Sequence, residues 1–158
     1  MKTTDYCSYE LSKQLKAAGF DEPCEYGYSV KMRLEPEVSF GEPKMVHSKD
    51  PKNYNDNRKG IEKGLSFCSA VPLWQAQKWL REKKGIAINV IAHDGGKYSN
   101  ERVCLPNYDE LATQWATWHI NGTPLFDTYE EALSAGIAEM LGLLVGKESE
   151  KVITTKKE

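Results

Sequence analysis

The chain has 158 residues, of which 21 are basic and 23 acidic; 40% are hydrophobic and 28% charged. Folding a chain of this length buries roughly 70% of its unfolded surface, so neither a metal nor a disulfide staple is required. A formal net charge of −2 excludes a protein that grips polyanions with its whole surface, while leaving room for a local basic patch.

The first predicted element is a short amphipathic helix over Tyr9–Ala18. Leu11, Leu15 and Ala18 share one face, Thr4 or Asp5 supplies the start, and Gly19 closes it, with Phe20 placed to fold back on the last turn. Tyr26–Leu34 alternates weakly, as a strand does. Periodicity is then lost over residues 35–64, which hold Pro36, Pro43, Pro51 and a polar run from Asn53 to Gly60; the expectation is an irregular insertion, a candidate partner-binding loop. A second helix begins after Pro72 and ends at Gly85, with Leu73, Ala76 and Leu80 on its buried face and Trp79 beside them.

Ile86–His93 alternates as a strand, Asp94-Gly95-Gly96 marks a tight turn, and Lys97–Leu105 is its hairpin partner. A third strand is expected over Trp115–Ile120. Thr128-Tyr129-Glu130-Glu131 is a capping box, followed by a helical stripe of Leu133, Ile137, Met140, Leu141 and Leu144. Gly146 is the expected helix end, leaving residues 147–158 as a charged, disordered tail. The expected fold is therefore α+β, one domain over residues 1–146. Its helices pack on one face of a small three-stranded antiparallel sheet, in the core order α-β-β-β-α after an N-terminal helix.

Cys7, Cys24, Cys68 and Cys104 are widely spaced and form no CxxC pair. They read as reduced intracellular thiols, with two disulfides as the alternative. The N-terminal stretch has no apolar signal region, and the run around Met140–Val145 is too short to span a bilayer, so the expected location is the cytoplasm, away from membranes.

Three stretches carry a resemblance: Tyr9–Phe20 (YELSKQLKAAGF), Trp79–Ile88 (WLREKKGIAI) and Phe126–Leu133 (FDTYEEAL). With them the chain resembles small proteins of Bacteroides-type gut bacteria and of their prophages and mobile elements. The resemblance spans about two-thirds of the chain, with residues 35–64 as an addition. It implies an origin and a fold, and it carries no activity or functional residue.

The α-β-β-β-α order also matches double-stranded-RNA-binding domains in topology, but Pro106–Gly146 holds six acidic residues and no Lys or Arg, the opposite of what a phosphate backbone requires. An open sheet face offers another route. If Ile88 and Val90 point at the helices, and Val103 and Leu105, and Trp118 and Ile120, do likewise, then Tyr98, Arg102 and Trp115 point outward as a base-stacking surface or an ordinary solvated face. Lys78, Arg81, Lys83 and Lys84, against Glu82, give the Ser66–Gly85 stretch a charge of +3, either a steering patch or simply cations that suit a helix C-terminus.

His47, His93 and His119 have no Cys or carboxylate spaced to complete a metal site. No phosphate loop, nucleophile elbow or other catalytic pattern occurs, and no cofactor is expected. The expectation is a non-enzymatic protein-interaction module that uses a sheet face or the central segment. A nucleic-acid-binding accessory protein is second, disfavoured by charge, and an enzyme without a recognisable motif is third.

Overall fold

The computed structural model describes residues 3–34, 37–56, 64–104 and 124–155. Over these the protein is α+β, with three α-helices and antiparallel sheets of three and two strands. The chain divides into two compact units, one made of Tyr6–Pro72 and the other of the chain from Leu73 onward with Thr3–Asp5.

The first unit contains α1 (Tyr9–Ala17), β1 (Cys24–Leu34), β2 (Glu37–Lys52) and β3 (Leu65–Ser69), with strand order β2-β1-β3. Ser8, rather than Thr4 or Asp5, starts α1: its hydroxyl accepts the Leu11 N–H at 3.2 Å, satisfying a donor that the first turn leaves free. At the other end Gly19, at φ 92°, lets the Gly19 N–H reach the Lys16 carbonyl (3.0 Å) and the Phe20 N–H reach that of Leu15 (2.9 Å). This double bond pattern is a Schellman cap, and the burial of both Leu15 and Phe20 completes it, as the sequence suggests.

Directly paired residues share a face of a sheet. Tyr28 pairs with Cys68 and Met45, and this face lies against α1 and the segment before it: the Tyr28 hydroxyl donates to the Cys7 carbonyl at 2.8 Å, and the Tyr9 and Tyr28 rings meet edge to face. On the opposite face stand Gly27, Ser29 and Lys31 of β1, paired to Ser69, Phe67 and Leu65 of β3 and to Val46, Lys44 and Phe40 of β2. Tyr54 covers one end of this face. Its ring rests on Gly27 so closely that a Cβ there would lie 2.4 Å from Cδ1. Its N–H donates to Ser69 Oγ and its hydroxyl to the Glu25 carbonyl, both at 3.2 Å.

β2 corrects the expectation of an irregular insertion over 35–64: residues 37–52 are strand. The prolines that argue against a strand sit where they do no harm. Ladder pairing skips from Lys44 to Phe40 and from Lys52 to His47, so Pro43 and Pro51 fall inside interruptions of an edge strand.

Cys7, Cys24 and Cys68 are free thiols buried in this unit. Burial pushes the Cys24 and Cys68 thiols up to about 11, from an ordinary 9.0, and raises Cys7 as well. A thiol that holds its proton more tightly when folded leaves stability intact below the unfolded value and withdraws it as pH climbs toward the folded one. The urea midpoint should therefore hold to about pH 9 and fall between about pH 9 and 11, with Cys24→Ala/Cys68→Ala flattening the decline. A midpoint unchanged through that window would contradict this account of the core.

The second unit contains α2 (Leu73–Lys84), β4 (Ile86–His93), β5 (Lys97–Cys104) and α3 (Tyr129–Thr155). Pro72 precedes α2, Gly85 follows it at φ 65°, and Leu73, Ala76, Trp79 and Leu80 are buried. Gly95 and Gly96, both at positive φ, turn the β4–β5 hairpin. The capping box forms as the sequence suggests, with the Glu131 N–H on Thr128 Oγ1 (3.1 Å) and the Thr128 N–H on Glu131 Oε2 (3.3 Å). α3 runs on past Gly146 to Thr155, where a disordered tail was expected. One glycine costs a helix only about 1 kcal/mol, and the Lys and Glu residues beyond it are good helix formers. The expected strand over 115–120 lies outside the described residues.

α3 packs on the hairpin at Gly136, where an added Cβ would stand 2.8 Å from Ile88 Cγ2 and 3.2 Å from Asn100 Cγ. Ile88 pairs with Arg102 and Val90 with Asn100, so Arg102, Asn100 and Tyr98 share the face that carries the buried Ile88. Asn100 Nδ2 donates to the Ala132 carbonyl at 2.9 Å, and Arg102 forms an ion pair with Glu139. Among the described residues no helix is long and apolar enough to cross a membrane.

Candidate functional site

The residues singled out from sequence do not converge. Tyr98 and Arg102 stand on the helix-covered side of the hairpin, the reverse of the expected register, while Val103 and Ile91 face the other way, 40% and 42% exposed. Burial lowers the Arg102 pKa somewhat, and its guanidinium is committed to Glu139 rather than free for a ligand. Trp115 lies outside the described residues.

On α2, Lys78 pairs with Glu82 at 2.9 Å, which holds that carboxyl below its ordinary value, and Lys84 Nζ sits 5.4 Å from the centre of the Trp79 ring. Arg81 is exposed on the same helix. Two of these three cations thus have structural partners, and the patch reads as a helix end with suitable charges. Trp74, in the first turn, is 60% exposed and stands apart from them.

His93 Nε2 and Ser99 Oγ are 2.7 Å apart, brought together across the β4–β5 hairpin. Ser99 is buried, so its hydroxyl offers no access to a substrate. Among the described residues no group of three His, Cys, Asp or Glu side chains is placed to hold a metal.

A different surface brings functional groups together. The face of the three-stranded sheet opposite α1 carries a concavity of about 500 Å³ that crosses all three strands. Phe40 of β2 and Leu65 of β3 supply apolar surface; Ser29, Lys31, Glu42 and Lys44 supply the polar groups. The Tyr54 ring closes the sheet at Gly27 and stops short of it, and the interruption at Gly41–Pro43 bends β2 beside it. Phe40 is 50% exposed, a large ring left open on a sheet face. Arg33, two residues beyond Lys31 on β1, extends the same face. Lys31, Arg33 and Lys44 are all exposed, and none makes an ion pair among the described residues.

Sequence reasoning named residues 35–64 as a candidate partner-binding loop but not this site, whose residues are far apart along the chain and joined only by strand register. The one available signal was Phe40 within a polar, proline-containing stretch. Fold and site together define an α+β protein with a helix-backed sheet whose other face carries, among the described residues, a concavity with Lys31 on the central strand between Phe40 and Leu65 on the outer ones. No family model, curated protein or solved structure matches the chain.

Proposed function

We propose that the protein is a small protein-interaction module that holds a peptide segment of its partner in the concavity of the three-stranded sheet. The observation that carries this reading is the exposed Phe40 on one outer strand and Leu65 on the other, with Lys31 between them and Lys44 beside Phe40 on β2, neither cation in an ion pair among the described residues. Exposed apolar side chains interleaved with polar groups are usual in a recognition surface. The free, buried thiols support a reducing, cytoplasmic setting, and the resemblance to mobile-element proteins supports an origin there.

The test is selection from a random peptide display library on the full chain, followed by affinity measurement on wild type and Phe40→Asp. Enriched peptides should bind wild type and lose at least roughly tenfold in affinity on the variant, about 1.4 kcal/mol. Failure to enrich any peptide, or equal binding to Phe40→Asp, would overturn the reading.

A second reading has one observation in its favour: an open aromatic ring flanked by cations is also how single-stranded nucleic acids are stacked. The concavity is less suited to it. It has one half-open ring where a strand of bases needs several, and Glu42 on its rim opposes a continuous run of phosphates.

A further inference from the structure

The geometry points to an acidic partner segment: an extended peptide that presents carboxylates and large apolar side chains on one face. This rests on the peptide-binding reading and adds the chemistry of the ligand. Three cations stand on one sheet face and none is neutralised within the described residues. Lys31 lies between Phe40 and Leu65, Lys44 lines the concavity from β2, and Arg33 continues the row along β1. Glu42 is the single acid among the lining residues.

Phe40 and Leu65 give the floor an apolar character, so a bare inorganic anion would leave most of the site unused. A peptide fills both parts. Its apolar side chains cover Phe40 and Leu65, and its carboxylates meet Lys31 between them and Lys44 on β2. Strand periodicity favours the match, because side chains two apart in an extended peptide point the same way. Lysine charges on an exposed rim act over about one Debye length, so they set the sign of the preferred ligand and the salt dependence of binding.

The experiment uses the full chain and fluorescence anisotropy with three labelled probes: an extended peptide of Glu-Ser-Leu-Ser repeats, which presents Glu and Leu in turn on one face, its analogue with Lys in place of Glu, and an oligothymidine of similar length. The acidic peptide should bind, with affinity falling roughly tenfold between about 0.05 M and about 0.5 M salt, and the basic analogue should not. Lys31→Glu/Lys44→Glu changes two exposed side chains, so the fold should persist, and it should exchange the preference toward the basic analogue. Equal binding of both peptides, or a double variant that still prefers the acidic one, overturns the acidic-ligand inference and leaves peptide binding standing. Tighter binding of the oligothymidine than of either peptide, lost in the same variant, overturns both in favour of nucleic acid.

Discussion

Gly27→Ala should destabilise the first unit by about 2–4 kcal/mol, a large share of the stability of a small fold. The cause is steric. Gly27 is not among the glycines at positive φ, so its backbone accepts alanine, but the new Cβ would stand 2.4–2.8 Å from three atoms of the Tyr54 ring. The ring cannot yield without cost: Tyr54 is 5% exposed and tied by its N–H to Ser69 and by its hydroxyl to Glu25. Alanine therefore expels Tyr54 from its seat or lifts it off the sheet. All four tryptophans, Trp74, Trp79, Trp115 and Trp118, lie in the chain from Leu73 onward, so the first unit is better followed by the exposure of its thiols to an aromatic disulfide reagent in rising urea. Gly27→Ala should shift that transition to lower urea, and combining it with Tyr54→Ala should cost much less than the two separate losses added. Strict additivity would show that the ring does not depend on the glycine.

In α3, one substitution made at two glycines should move stability in opposite directions. Gly142 has open space around it among the described residues, so Gly142→Ala should stabilise the second unit by up to about 1 kcal/mol through helix propensity. Gly136→Ala gains the same propensity but places a methyl 2.8 Å from Cγ2 of Ile88, a fully buried branch with no room to rotate away. Overpacking of this kind costs about 1–3 kcal/mol, and it also presses on Asn100, whose amide holds the Ala132 carbonyl. Urea titration read from the buried Trp79 should show the Gly136→Ala midpoint falling and the Gly142→Ala midpoint rising. If both midpoints rise, the helix is not seated on the hairpin as closely as the structure has it.

These contacts also show what the sequence could and could not reveal. Local chemistry was legible: the Gly19 cap, the Gly85 helix end, the Gly95-Gly96 turn and the Thr128–Glu131 box all depend on residues within a few positions of one another. The facing of β5 was not. Val103 looks like a core residue and Arg102 like a surface one, yet the order is reversed because Arg102 finds Glu139 and Asn100 finds Ala132 across the packing interface. A polar side chain enters a core when a partner waits there, and that partner is about thirty residues away in the chain. β2 was hidden for a related reason. Its prolines contradict a central strand, and only the strand order shows that β2 is an edge. The concavity inherits both difficulties, since Phe40, Lys31 and Leu65 become neighbours only when β2 and β3 dock on either side of β1.

The two interruptions of β2 bear on how the molecule survives at high concentration. A flat outer strand of 16 residues would invite other copies to zip onto it and start a fibre. Gly41–Pro43 and Ser48–Pro51 break that edge into short pieces, the prolines remove donors from it, and Lys44, Lys49 and Lys52, interspersed with Glu37, Glu42 and Asp50, place charge along it. The protein thus discourages indiscriminate zippering along its rim while leaving Phe40 exposed on the sheet face.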